Sequence, residues 1–147
     1  MKCFFIYSHF QEGTVSILFS SKNLLNNYTK QSQILPPFIH IDSTFKLIDL
    51  GLPLIIVSTE TLNHNFRQIA FYVSWAESTE QVKLMLTKLS EFYQEKLNTE
   101  FKPKYIMTDN SDALIAGCKK FTHEYIHMGC HFHIYKRMKE KTQNNKL

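Results

Sequence analysis

Four aspartates occur in the chain, Asp42, Asp49, Asp109 and Asp112, and two of them follow apolar runs directly. Asp42 ends the stretch Phe38–Asp42 (FIHID), and Asp109 follows Lys104–Thr108 (KYIMT); both runs have strand length and strand composition. Side chains at the carboxyl ends of neighbouring strands in an open α/β sheet point into the crevice where such sheets bind ligands. Two carboxylates held that close repel unless a cation lies between them. Hard divalent ions take oxygen ligands, and a pair about 4 Å apart can activate water and stabilise the leaving oxygen in phosphodiester cleavage. The competing reading is that strand-end aspartates cap turns and helices. It has force for Asp109, which precedes Asn110-Ser111, and less for Asp42, which has no helix behind it to cap. Asp49 falls in a loop and is expected to be solvated. Asp112 falls in the first turn of a helix, where the macrodipole accounts for it.

Other reactive residue types point less directly to a site. Glu77 stands just before a predicted helix and reads first as an acid stabilised by that N-terminus. His123, His127, His131 and His133, four of seven histidines, crowd into eleven residues around Cys130. Cys130-x-x-His133 has the spacing of metal ligands, and a thiolate with imidazoles suits zinc. No second Cys or His pair stands at finger spacing, and His131 and His133 cannot share one face of a regular helix. A structural Cys130–His133 motif is therefore expected, and a zinc site is not. Trp75 and its aromatic neighbours are expected in the core rather than as a base-stacking platform.

The elements that must position these residues can be read from periodicity. Lys2–His9 and Thr14–Ser20 flank a Glu12-Gly13 turn and predict a hairpin. The polar stretch Asn26–Gln33 then separates this piece from the rest, and Pro36-Pro37 punctuates the start of the main unit. Phe38–Asp42, Leu54–Thr59 and Gln68–Trp75 predict three strands with short connections, an antiparallel meander. Val82, Met85, Leu86, Leu89, Tyr93 and Leu97 recur at helical spacing, and Ser78 with Gln81 forms a capping-box pattern that starts the helix near Thr79. A strand over Lys104–Thr108, a helix over Asp112–Phe121, a strand over Tyr125–Met128 and a helix from His131 complete the order β-β-β-α-β-α-β-α. Strand–helix–strand crossovers demand parallel pairing, almost always right-handed. The expectation is an α/β fold with a mixed five-stranded sheet and helices on its faces, the order of the ribonuclease H-like fold, preceded by a hairpin. Three segments follow: 1–35, hairpin and polar lead-in; 36–141, the core; 142–147, a polar basic tail.

Composition bounds the rest. A chain of 147 residues, 44% hydrophobic with 4 Gly and 4 Pro, is neither a disordered tail nor a fibre. No apolar run reaches the roughly 20 residues of a membrane-spanning helix, and the N-terminus lacks a secretory pattern. Cys3, Cys118 and Cys130 are an odd set and do not read as a disulfide framework, so an intracellular, reducing location is expected. The net charge of +4 is local: Lys136, Arg137, Lys139, Lys141 and Lys146 face one acid, Glu140, and the remainder is balanced. A basic end fits either a polyanion partner or a solvated helix terminus.

Three ordered blocks carry a family resemblance. IHIDSTFK at Ile39–Lys46 resembles the first catalytic block of Mutator-like element (MULE) transposases, and WAES at Trp75–Ser78 before an amphipathic helix suits them too. YIMTDNSDAL at Tyr105–Leu114 resembles their second block, and GCHFHIYKRM at Gly129–Met138 their C-x-x-H block. The resemblance implies cut-and-paste DNA transposition by a three-carboxylate, two-metal site, with Mg²⁺ or Mn²⁺, DNA as partner, no membrane and a nuclear location. Asp42 would take the first catalytic and metal-binding position and Asp109 the second. The family's third acid is a glutamate well beyond the C-x-x-H block, and Glu140 is too close to His133 to match it. The chain is thus expected to be an incomplete or decayed copy, inactive alone. Two alternatives stay open: a domesticated, non-catalytic module acting in DNA association or transcription, and a ribonuclease H-like nuclease using Asp42, Glu77 and Asp109.

Overall fold

The computed structural model describes residues 2–45, 50–122 and 124–144. Alternation of side chains makes β1 (Cys3–Gln11) and β2 (Thr14–Ser21) a hairpin, closed at Gly13 with φ +76°, which a glycine adopts without steric cost. α1 (Lys22–Ser32) follows at once, capped by the Ser21 hydroxyl accepting from the Leu24 N–H. β3 (Phe38–Thr44), β4 (Leu54–Glu60) and β5 (Phe66–Ser74) form the antiparallel meander. α2 (Thr79–Leu97), β6 (Tyr105–Thr108), α3 (Asp112–Phe121), β7 (Ile126–Gly129) and α4 (His131–Asn144) complete the chain. β6 pairs parallel with both β3 and β7.

The class is mixed α/β, and several expectations need correction. The sheet has seven strands rather than five, in the order β1-β2-β5-β4-β3-β6-β7, because β2 pairs antiparallel with β5 and carries the hairpin into the sheet. Residues 26–33 are no mere polar lead-in: most belong to α1, which buries Leu25, Tyr28 and Gln31. The expected capping box at the start of α2 is half made. Ser78 Oγ accepts from the Gln81 N–H at 3.3 Å, but the Gln81 side chain turns away and accepts from Ser16 Oγ (2.7 Å) and from the Tyr72 hydroxyl. Asp49 and His123 lie outside the described residues.

The core lies on one side of the sheet. Ile39, Ile41, Ile55, Val57, Tyr72 and Ile106 share a face by register and are fully buried. α1, α2 and α3 cover that face: Tyr93 of α2 donates to the Leu25 carbonyl of α1 and packs its ring on Tyr28, while α2 lies along α3. The opposite face, on which Asp42, Ile56, Phe71, Phe19 and Phe5 form a row across five strands, has no helix layer of that kind among the described residues. Among the described residues α4 reaches that face, where its His133 stands beside Asp42. Trp75, expected in the core, is 47% exposed where the chain leaves β5; only its backbone is tied in, donating to the Val15 carbonyl.

Two predictions follow from the helix layer. A Cβ at Gly117 would stand 2.5 Å from Val82 Cβ and 3.0 Å from the Thr79 carbonyl oxygen, so α2 and α3 meet where only glycine fits. Gly117→Ala gains about 1 kcal/mol of helix propensity but overpacks at a cost of about 1–3 kcal/mol. A net loss of unfolding free energy at unchanged m-value is expected in urea titration, and a stabilised variant would refute the close contact. Burial also pushes the Cys118 thiol up to about 12 from 9.0. The native state then keeps a proton that the unfolded chain releases, so stability falls as pH rises through 9, by up to about 1.4 kcal/mol per pH unit. Tyr72, raised by burial to about 12, adds to the loss above pH 10. Denaturation at pH 9 and 10 should show this slope, and Cys118→Ala should flatten it.

Candidate functional site

Parallel pairing sets Ile39 opposite Ile106 and Ile41 opposite Thr108, so the next residues, Asp42 and Asp109, leave adjacent strands at the same level. Asp42 still belongs to β3 and projects from the uncovered face; Asp109 begins the loop into α3. Both are half-buried. One oxygen of Asp109 accepts the Ser111 N–H at 2.9 Å, so this aspartate does organise the turn before α3. The Ser111 hydroxyl reaches the other way and donates to Glu77 Oε1. Ser111 thereby links the acid ahead of α2 to the acid after β6.

A third element converges from β7. The Cys130 N–H donates to the Thr108 carbonyl at 2.8 Å, and the Cys130 carbonyl accepts from Ile134 in the first turn of α4. The Thr108 hydroxyl donates to the Asp109 carbonyl and stands 2.9 Å from His127 Nε2. With its start pinned to the end of β6, α4 swings His133 over β3, and His133 Nε2 lies 3.9 Å from Asp42 Oδ1. That separation is an electrostatic contact and too long for a hydrogen bond. Cys130 and His133 do not bond to each other among the described residues; the C-x-x-H spacing instead places a backbone anchor at Cys130 and an imidazole at Asp42. His131 is exposed.

The site is polar but poorly satisfied. Asp42 Oδ1, His40 Nε2 and His133 Nδ1 are buried atoms without hydrogen-bond partners. Burial lowers the His40 pKa below its ordinary value, with the Asp42 carboxylate working against that shift and His133 adding to it. Burial also lowers the pKa of His127, helped by the charge of Lys119. Among the described residues no three His, Cys, Asp or Glu side chains form a group that could hold a metal ion. Two carboxylates, one with an unsatisfied buried oxygen, match what magnesium takes from a protein when water and phosphate complete its shell. They do not make a closed zinc cage. Two grooves lie at the other end of the strands, between α1 and the β4–β5 turn, lined by Gln31, Leu35, Glu60 and Leu62. They hold none of this chemistry.

Asp109 has two separable duties, and substitution divides them. Asparagine keeps an Oδ1 acceptor for the Ser111 N–H, so Asp109→Asn should move thermal stability by less than about 0.5 kcal/mol. Asp109→Ala removes that acceptor and should cost about 1 kcal/mol. Equal losses in both variants, measured by chemical denaturation, would show that the charge and not the turn stabilises this loop.

The descriptive model of the MULE transposase domain matches residues 38–137, more than half of the chain and the whole span from β3 into α4. No curated protein and no solved structure gives a match. No helix among the described residues is long and apolar enough to cross a membrane. The matched span begins with the strand that bears Asp42, contains Asp109 and ends just past the C-x-x-H turn, so this chain belongs to the MULE transposase domain family and carries a transposase-like function.

Proposed function

We propose that Asp42 and Asp109 together hold a divalent cation, Mg²⁺ or Mn²⁺, as the front part of a DNA transposition site. The observation that carries this reading is the unsatisfied, buried Oδ1 of Asp42 at the level of Asp109 on an adjoining parallel strand. The strand order β5-β4-β3-β6-β7, antiparallel through the meander and parallel beyond it, supports a ribonuclease H-like core with the hairpin added at one edge. On this reading segment 36–141 is that core, 1–35 its amino-terminal extension and 142–147 its basic tail.

A bound cation would supply a Lewis acid for phosphodiester chemistry and a lowered pKa for attacking water. The chain's own residues do the rest. Asp42 and Asp109 bind; the Ser111 N–H fixes the Asp109 carboxylate; the His133 imidazole stands beside Asp42. Exposed Lys136 and Lys139 on α4 present charge to a phosphate backbone, which supports DNA as partner; a nuclear location is part of the same proposal. With two acids and no third ligand among the described residues, metal is held without being fully oriented, so this chain by itself binds metal and does not transfer strands. A second reading, a ribonuclease H-like nuclease, draws support from the Glu77–Ser111–Asp109 link.

Mg²⁺ binds the native state and should raise the melting temperature. At ten times its dissociation constant the gain is about 1.4 kcal/mol, or roughly 3–6 °C for a chain of this size. Asp42→Asn should remove the response. A wild-type melting point indifferent to millimolar Mg²⁺ and Mn²⁺ would overturn the metal site and favour the non-catalytic DNA-associated module. Mn²⁺-dependent cleavage of nicked DNA, lost in Glu77→Gln as well as in Asp42→Asn, would instead establish the nuclease.

A further inference from the structure

We propose that the hairpin edge of the sheet is a self-association surface, occupied by β1 of a second copy of this chain running antiparallel to it. β1 is the outermost strand, and nine residues from Cys3 to Gln11 contain no charge and no proline. Soluble proteins blunt such an edge with lysine, proline or a covering element, because its unpaired N–H and C=O groups otherwise recruit another strand. Here the only such device is a bulge at the Phe5–Tyr7 step, which interrupts the ladder without ending it. Phe5 and Phe10 stand on the uncovered face of this edge at 71% and 70% exposure, and Phe5 with Ile17 and Phe19 lines a shallow apolar groove.

Area and charge both point to a second copy. The chain exposes 9300 Å², whereas a folded monomer of its mass exposes about 7,900 Å². The excess, the difference of those two figures, is about 1,400 Å². Even half of it approaches the roughly 800 Å² that each partner contributes to a standard stable interface. Charges lie at both ends of β1, Lys2 before it and Glu12 after it. Antiparallel pairing about a two-fold axis brings Lys2 of each copy towards Glu12 of the other, while parallel pairing would set like charges together. Matching the uncovered faces also sets Phe5 of one copy against Phe10 of the other. The same patch serves both copies, which closes the assembly at two. Three strand spacings, roughly 14 Å, separate Phe19 from Asp42, so this surface is distinct from the acidic site.

Sedimentation equilibrium of the whole chain over about 1–100 μM tests the proposal. A species of twice the chain mass is expected, with Phe5→Lys shifting it to monomer at unchanged far-ultraviolet circular dichroism. Phe132→Lys, at the exposed apolar part of α4, should leave the dimer intact. Lys2→Glu should weaken association at least several-fold, and the swap Lys2→Glu with Glu12→Lys should restore it. A monomer throughout the range overturns the proposal. So does a dimer lost in Phe132→Lys but kept in Phe5→Lys, or open-ended assembly that ignores the charge swap.

Discussion

Everything at the acidic site depends on the parallel pairing of β3 with β6. This pairing joins segments more than 60 residues apart, and its hydrogen bonds alone would not hold them. Ile39, Ile41 and Ile106 are fully buried beneath the helices, and each such side chain removed from water contributes about 1.5–3 kcal/mol. Register is fixed because a slip of one residue would turn these isoleucines to the uncovered face and bring Asp42 inward. The apolar core thus decides where the carboxylates stand. Proximity of two acids is an unfavourable by-product that the hydrophobic layer overrides.

Most of this frame was legible from residue patterns. Strands of β-branched residues bounded by Gly or Pro, the 3.6-residue period of α2 and the cap at Ser78 all have local causes. α1 escaped because its buried stripe is only Leu25, Tyr28 and Gln31 within an otherwise polar run, and tertiary contact with Tyr93 supplies what periodicity lacks. Pairing of β2 with β5 escaped for a different reason. Edge-to-edge addition of a hairpin leaves no mark on either strand, and Ile17 opposite Val73 looks like any other strand pair. Trp75 was misjudged because it lies one residue past the last strand position, where alternation no longer dictates a side.

At the site, Asp42 and Asp109 could be named from their positions after apolar runs, yet their surroundings could not. The Ser111 hydroxyl, at the start of α3, reaches Glu77, a long-range contact that spacing does not encode. Cys130 and His133 carried a metal-ligand spacing, but helix geometry divides them: one is held by its backbone to β6, and the other is aimed at β3. Short motifs report which residues gather at a turn. They do not report which way each side chain leaves it.

The diverted side chain of Gln81 has a mechanical meaning. Its carbonyl oxygen holds Ser16 of the hairpin and Tyr72 of the meander at the first turn of α2, four residues after Glu77. Glu77 in turn holds Ser111, and Ser111 holds Asp109. The five residues from Glu77 to Gln81 are thus a common mooring for the outer hairpin and for the loop that bears an acid. Cutting away the hairpin would take Ser16 from Gln81 and leave Tyr72 as the donor to its carbonyl oxygen, and the slack would appear at the base of the acidic loop on the far side of the sheet. What looks like an appendage is part of the rigging.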